Sequence, residues 1–290
     1  MNGEIFFQTL INGLFIGGIY SLVAIGLTLI YGVMNIMNFA HGEFLMLGMY
    51  IAFGCFTLFG MDPYVSVLVA AALVFIIGAV IQRGLIQRVL NAHPLNQIIL
   101  LLGVSTLLVG LVQFFLTAEP RNIHVSYETE VLTLLGLRLS IPRLIAFLAS
   151  MLISLGLYLF LQHTRTGKAI RAVSQNRGAA LLMGVNVKFI YLFTFGLGAA
   201  VTAVAGVFLT PNYKMIPTIG ASYSVIAFVV VVLGTMGNFI GAFFGGLIIG
   251  IVEVFAGYYL GGDVKIIASM LVFILVLLFK PAGLFGRKSA

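Results

Sequence analysis

Long apolar runs separated by short polar segments are the dominant pattern along this chain. Runs of about 20 residues predict membrane-spanning helices near 7–30, 64–81, 97–117, 141–161, 189–210, 239–256 and 264–279, and a further helix continues from Asn38 to Phe59. The run Val225–Leu233 has only nine residues, so it either extends at both ends or enters the membrane and turns back. The pattern therefore predicts an all-α, polytopic membrane protein with eight or nine transmembrane helices, some of them short or broken. Residues 1–290 are expected to form one domain.

Composition and charge agree with that prediction. The chain has 290 residues, of which 61% are hydrophobic and only 8% are charged, whereas about a quarter of the residues in a soluble domain are charged. Its net charge of +7 lies in short loops, where it sets orientation in a bilayer rather than affinity for nucleic acid. The first ten residues carry an acid where a signal peptide would be basic, so we expect the first span to be retained.

The segment His163–Lys188 is the most basic loop, and we call it the basic loop. It holds five of the fifteen Lys and Arg residues and no acid, between two predicted spans, which places it in the cytoplasm by the positive-inside rule. Its pattern predicts two short helices, the second capped by Asn176 and ended by Gly184. Such a loop either docks on another protein or simply holds topology by its charge.

Two other loops are predicted from charge. Residues 82–96 carry basic side chains and no acid, and are expected to form a cytoplasmic loop. Residues 118–140 form the most acidic loop and are expected outside, with Val131–Ser140 forming either a short hairpin or a surface helix. The stretch 210–223, with its prolines and glycines, is expected to be external and irregular.

Four polar residues interrupt apolar sequence between Tyr31 and Gly48, namely Asn35, Asn38, His41 and Glu43. Such residues need a helix end, a protein partner or an aqueous cavity in a membrane. One interpretation is that Asn38 caps the following helix, with Glu43 near its positive end. The other is a broken or re-entrant segment that lines a transport path.

Two further polar residues are candidates for such a path. The first is Asn238, which belongs to a weak sequence repeat: Asn38-Phe39 and Phe44 recur as Asn238-Phe239 and Phe244. The repeat either reflects an ancient duplication or arises by chance. Glu253 is the one acid deep inside a predicted span. It either makes a hydrogen bond to a neighbouring helix or lines a cavity.

Catalytic signatures are absent from the sequence. There is no G-x-x-x-x-G-K-[ST], no H-E-x-x-H, no pair of cysteines and no G-x-S-x-G. We therefore expect no catalytic residue, no metal site and no cofactor bound by this chain. The scarcity of charge inside the spans favours an apolar or zwitterionic solute over an ion.

The motif T-x-x-G-x-A-x-R-A, followed by A-x-x-x-G-V, resembles the cytoplasmic coupling loop of permease subunits of ABC importers, in particular the branched-chain amino-acid family. N-F-A-H-G-E at 38–43 and F-K-P-x-G-L-F-G at 279–286 extend the resemblance over nearly the whole chain. The resemblance implies a coupling loop at 163–188, which would contact an ATPase through Thr164, Thr166, Gly167, Ala169, Arg171, Ala172, Ala180 and Gly184. The candidate translocation path is Asn35, Asn38, His41, Glu43, Asn238 and Glu253.

The resemblance also implies partners and a location. A permease of this kind lies in the bacterial inner membrane, surrounded by lipid, and pairs with a second related permease or a second copy of itself. Two cytoplasmic subunits would bind ATP and Mg, and a periplasmic or lipid-anchored protein would deliver leucine, isoleucine, valine or a related solute. The alternative function is a stand-alone secondary transporter or facilitator of small zwitterionic or amide solutes.

Overall fold

The computed structural model describes residues 3–134, 136–280 and 282–286, and it is helical almost throughout. Its elements are α1 (Gly3–Met34), α2 (His41–Phe59), α3 (Val67–Ile81), a π-helical turn (Gln82–Ile86), α4 (Gln87–Val89), α5 (Pro94–Leu116), β1 (Val131–Leu134), β2 (Leu137–Ser140), α6 (Ile141–His163), α7 (Arg165–Gln175), α8 (Arg177–Leu182), α9 (Val187–Leu209), α10 (Ile219–Leu233), α11 (Phe239–Tyr259), a 3₁₀ turn (Gly262–Val264) and α12 (Lys265–Phe279). Seven described helical segments are long and apolar enough to cross a membrane, with α3, the π-helical turn and α4 counted together as Val67–Val89, and α10 and α12 are shorter.

Helix α1 is the central element of the bundle, and nearly all of its second half is buried. It packs against α11 through glycines on both helices, since a Cβ atom on Gly17 would lie only 2.8 Å from the Cα of Leu247. Small residues let helix backbones approach this closely in a membrane, where packing rather than water exclusion drives association. The glycine-rich sequences of α1 and α11 are therefore explained by one tight crossing.

The other helices form an incomplete ring around α1. Helix α9 packs on α6, α2 and α3, α2 packs on α10, and α10 packs on α11. The ring is open between α6 and α11, where a groove runs along the side of the bundle. Helix α5 touches the ring mainly through α2, and α12 rests on α10 and α11.

The β-hairpin marks one end of the bundle, which we call the hairpin end. The Gln8 side chain fixes the hairpin to α1, because its Nε2 donates to the Arg138 carbonyl at 2.8 Å and its Oε1 accepts from the Arg138 amide at 2.8 Å. Residues 131–140 thus form a hairpin rather than a surface helix, with Val131 paired to Ser140. It is a small exception to the all-α prediction.

The loops at the hairpin end are joined to one another. Arg121 and Met215 exchange two backbone hydrogen bonds of 3.0 and 2.9 Å, which connect the α5–β1 loop to the α9–α10 connection. The Tyr127 hydroxyl donates to Asp62 Oδ2 at 2.8 Å, and burial together with the Asp62 carboxylate raises the pKa of Tyr127 above its ordinary value. The phenol therefore stays protonated and keeps donating at neutral pH.

The short run Val225–Leu233 belongs to a 15-residue helix, α10, whose first turn lies within the bundle. Tyr223 lies beside Tyr20, which is midway along α1, with ring centroids 6.1 Å apart, and the Leu233 carbonyl accepts from the Leu284 amide at the end of the bundle opposite the hairpin. The run extends only at its N-terminal side, to Ile219. Helix α10 therefore starts beside the first turn of α2, within the bundle, and it is shorter than the seven described helices that are long enough to cross a membrane.

Two boundary predictions were wrong. Residues 82–96 are not a loop throughout, since the chain stays helical to Val89 through the π-helical turn, where Gln82 Nε2 donates to Gln87 Oε1 at 2.8 Å. Polar side chains mark where the apolar span ends, but they do not stop a helix. Residues 219–223 are helical rather than irregular because they pack on α1 and α2. The predicted basic C-terminus, Arg287 and Lys288, lies outside the described residues.

Candidate functional site

The chain is broken between α1 and α2, as one interpretation of the polar segment predicted. Helix α1 ends at Met34, and Asn35 has a left-handed backbone with φ of 53°. Residues 35–40 are not helical, and α2 begins at His41 inside the bundle, where that side chain is fully buried. Asn35 and Met37 are exposed within the break.

Asn38 does not cap α2, so the capping interpretation was wrong in that detail. The N-cap residue is Ala40, which has no capping side chain, and its ψ of 9° is far from the extended value that a capping residue adopts. Asn38 instead accepts from the Ala40 amide through Oδ1 at 3.2 Å. Its buried Nδ2 has no partner among the described residues.

The cap of α2 comes from α10. The Ser224 hydroxyl accepts from the Gly42 amide at 2.8 Å and donates to the Phe39 carbonyl at 3.4 Å. The two helices meet at a pair of glycines, since a Cβ atom on Gly42 would overlap the Gly220 carbonyl oxygen. A hydroxyl from a neighbouring helix thus satisfies an amide that α2 cannot satisfy by itself.

Glu43 lies between α5 and the first turn of α10, and its Oε2 has no hydrogen-bond partner among the described residues. Its Oε1 accepts from the Ser105 hydroxyl of α5 at 3.0 Å, and its Oε2 lies against Gly220, in the first turn of α10. A carboxylate is favourable at the positive end of a helix, and α10 has no side-chain cap of its own. We call the contacts of Gly42 and Glu43 with Gly220 and Ser224 the α2–α10 junction.

His41 ties three helices together. Its Nε2 lies 3.0 Å from the Val23 carbonyl of α1 and 2.8 Å from the Thr202 hydroxyl of α9. Because Thr202 donates to the Gly198 carbonyl at 2.9 Å, the proton on Nε2 is the one shared with both acceptors. These contacts make His41 a packing link beside the break rather than a side chain on an open surface.

An open face lies next to the junction. Its exposed residues are Asn35, Ala221 and Ser222, which are small or polar, and Met37 and Val225, which are apolar. On other helices many exposed positions are larger and apolar, as at Phe114, where 81% of the residue is exposed, and Leu152, where 69% is exposed. The break and α10 therefore present a surface of a different kind from the sides that suit lipid.

The last two path candidates lie apart from the junction. Asn238 caps α11, because its Oδ1 accepts from the Gly241 amide at 3.1 Å. It neighbours Gly237, which faces Gly32 near the end of α1 opposite the hairpin, and we call this end of the bundle the inner end. Glu253 lies toward the hairpin end, near Tyr20, and its Oε2 has no partner among the described residues. The six candidates thus occupy three depths rather than one cluster.

The basic loop forms the two helices that the sequence predicted. The Thr164 hydroxyl accepts from the Gly167 amide at 2.9 Å to cap α7, and Asn176 Oδ1 accepts from the Ala179 amide at 3.0 Å to cap α8. Gly184 has φ of 80°, which suits the glycine predicted to end the second helix. That helix ends at Leu182, one residue earlier than predicted.

Several coupling candidates face inward, toward the bundle. Gly167 packs on α6 so closely that a Cβ atom there would lie 2.6 Å from the Cα of Leu161. Arg171 Nη2 donates to the Gln162 carbonyl at the end of α6 at 3.3 Å. Ala180 is buried, and Thr166, Ala169 and Ala172 are partly buried. These residues fix the loop to the spans.

An apolar tip on the basic loop was missed from the sequence. Leu181, Leu182 and Met183 are 61%, 88% and 84% exposed, and we call them the loop tip. Three adjacent apolar residues in the most basic loop were the available signal. Exposed apolar groups of this kind are typical of protein–protein or membrane interaction sites.

A bundle of long apolar helices with a helical loop fixed to one end defines a polytopic membrane protein. The chain belongs to the family described as branched-chain amino acid transport system / permease component, whose model matches residues 9–280. Its relatives are transport subunits rather than enzymes, and the chain is a multi-pass inner-membrane protein.

Individual relatives match over nearly their full length. The high-affinity branched-chain amino acid transport system permease protein BraD of Pseudomonas aeruginosa is 35% identical, over 97% of this chain and 96% of its own. The permease protein LivH of Escherichia coli is 35% identical over the same shares. A probable LivH from Methanocaldococcus jannaschii is 32% identical over 91% of this chain and 88% of its own. No solved structure matches.

Proposed function

We propose that this chain is the membrane-spanning subunit of an ATP-driven importer for branched-chain or other hydrophobic amino acids. The observation that carries the proposal is the loop tip, which is exposed and apolar on a loop fixed to the spans. Separate cytoplasmic subunits would bind ATP and Mg and dock on this tip. The full-length relatives named for branched-chain amino-acid transport support the same substrate class.

The contacts of the basic loop support a coupling role for residues 163–188. Ile170 and Val173 of α7 are buried, and α7 packs against α6, α1 and α9. Arg171 ties α7 to the end of α6. A displacement of the loop tip would therefore reach three spans directly, which a loop held only by charge would not do.

The open face beside the α2–α10 junction supports a translocation path there. Asn35, Asn38, His41 and Glu43 line or brace this region, and Asn238 and Glu253 extend the candidate set toward the two ends. Small and polar groups let a zwitterion pass with some hydration retained, and the near absence of charge avoids trapping it. Because one chain leaves the face open, a second related permease or a second copy would close it.

A solute receptor completes the proposed assembly. The joined loops at the hairpin end, which include the Arg121–Met215 contact, would offer it a stable surface. A periplasmic or lipid-anchored amino-acid-binding protein would release its solute there. Single-domain organisation over residues 1–290 is consistent with this arrangement.

The test is reconstitution in liposomes with each subunit left out in turn. We expect uptake of leucine, isoleucine or valine only when ATPase subunits, receptor and ATP are all present, and the solute should stimulate ATP turnover. Gradient-driven uptake by this chain alone would instead establish the facilitator function. A panel with urea and short amides decides the solute class.

A further inference from the structure

The groove between α6 and α11 is an apolar concavity that the transport proposal does not use. It has a volume of about 420 Å³. Its walls are Leu152, Leu155 and Tyr158 from α6 and Phe239, Phe243 and Phe244 from α11. The groove lies where the ring around α1 is open, away from α2 and α10.

The groove requires an apolar occupant. Ordered water needs two to four polar partners, and the lining offers only the Ser154 and Tyr158 hydroxyls. Ser154 is buried, and its Oγ has no partner among the described residues. Water would therefore leave most of the groove unfilled.

The surroundings of the groove favour lipid over a helix from a partner. The groove lies on the other side of α1 from the open face, which is the side that we assign to a second permease. Its walls belong to the inner halves of α6 and α11, close to the basic loop. His163 and Arg165 follow Tyr158 within two turns and are exposed, and the basic loop contains no acid.

We propose that this groove is a binding site for an anionic phospholipid of the inner leaflet. One acyl chain lies between α6 and α11 against the phenylalanine wall, and the phosphate lies near His163 and Arg165. Basic pockets between spans on the cytoplasmic side are suited to acidic headgroups. The bound chain closes the ring around α1 and so supports α6, the helix that leads into the basic loop.

The sequence offers a clean reporter, because the full chain contains no tryptophan. Phe243→Trp places one in the groove wall near the start of α11, and Ile99→Trp places a control near the start of α5, outside the groove and at the same end of the bundle, where Ile99 is 62% exposed. The purified full chain carrying each variant is reconstituted with brominated phosphatidylglycerol or brominated phosphatidylcholine, and quenching of its fluorescence is measured. Bromine quenches only when the acyl chain is in contact.

We expect the Phe243→Trp reporter to bind the anionic lipid about five-fold more strongly than the zwitterionic one, the preference that a single basic side chain supplies near an acidic headgroup. Arg165→Gln should remove most of this preference, whereas the preference at the control Ile99→Trp should be smaller and should not change with Arg165→Gln. Equal binding of the two lipids at Phe243→Trp would overturn the proposal. Absence of quenching by either lipid would also overturn it and would indicate a protein cover.

A second measurement tests the groove without a tryptophan reporter. Native mass spectrometry of the wild-type chain in mild detergent should retain one phosphatidylglycerol, and Ser154→Leu, which fills the groove beside the unpartnered hydroxyl, should lose it. Retention by Ser154→Leu at the wild-type level, or no retention by the wild-type chain, would contradict the assignment.

Discussion

Replacing Ser224 by alanine tests the α2–α10 junction. The change removes one hydroxyl and leaves the Gly42 amide, which is buried with its residue, without its 2.8 Å acceptor. Ala40 cannot take over, because it has no hydroxyl and its backbone is not in a capping conformation. The Phe39 carbonyl also loses a donor.

The expected cost follows from these contacts. A buried amide left without an acceptor costs about 1–3 kcal/mol, and loss of a helix cap costs about 1 kcal/mol. Both estimates describe the same hydrogen bond, so we expect about 1–3 kcal/mol in total. Ser222→Ala is the matched control, since Ser222 is two residues away on the same helix and is exposed. A surface change of that kind lies within about 0.5 kcal/mol of zero.

The assay is reversible unfolding of the purified chain in mixed micelles, followed by loss of helical circular dichroism as the fraction of denaturing detergent rises. The same two variants are then measured for ATP-driven uptake in the assembled importer. We expect Ser224→Ala to unfold earlier and to transport more slowly, with Ser222→Ala close to wild type in unfolding. Equal stability of the two variants would refute the reasoning that α10 caps α2.

Three further changes have defined outcomes. Gly48→Ala should destabilise the chain by about 1–3 kcal/mol, because its Cβ would overlap the Ala203 carbonyl. Gly54→Ala in the same helix has open space and should be neutral or slightly stabilising. Unfolding in mixed micelles compares the two variants, and equal losses of stability would contradict the packing of Gly48 on Ala203. Leu182→Glu should leave stability within about 0.5 kcal/mol of wild type, since the side chain is exposed. It should lower solute-stimulated ATP turnover at least ten-fold, because it places a charge in an apolar contact. Unchanged turnover would argue against docking of the ATPase at the loop tip. Gln8→Leu should release the hairpin from α1, because it removes both hydrogen bonds to Arg138. Hydrogen exchange at the Arg138 amide should become at least ten-fold faster, with the Leu132 amide on β1 as the internal reference. Unchanged exchange at Arg138 would show that Gln8 does not hold the strand.

Much of the fold could be predicted, because a membrane span is recognised in the sequence as an apolar run of sufficient length. The Asn176 cap of α8 and the glycine after α8 were also predicted, since each depends on residues within three or four positions. The positions at which helices begin and end were harder to predict from the sequence. Gln82–Val89 stays helical although it is polar, and Ile219–Tyr223 is helical because of packing on distant elements.

The candidate site could be predicted only as a set of unusual residues. A break at Asn38, His41 and Glu43 was one of two interpretations that their polarity allowed. Ser224 is 182 positions from Gly42, and no local pattern connects them. The loop tip was present in the sequence as three apolar residues, yet their exposure depends on how α8 rests on the bundle. The groove between α6 and α11 is visible only when the ring around α1 is assembled.

The central claim is that energy from ATP enters through the loop tip, and one crosslinking measurement tests it most directly. A photoreactive amino acid is placed at Leu182 in the assembled importer, with Leu134 of the exposed hairpin as the control position. We predict that Leu182 crosslinks to an ATPase subunit in a yield that changes when ATP binds, while Leu134 does not crosslink to it. Failure of Leu182 to reach any ATPase in an importer that transports would contradict the account.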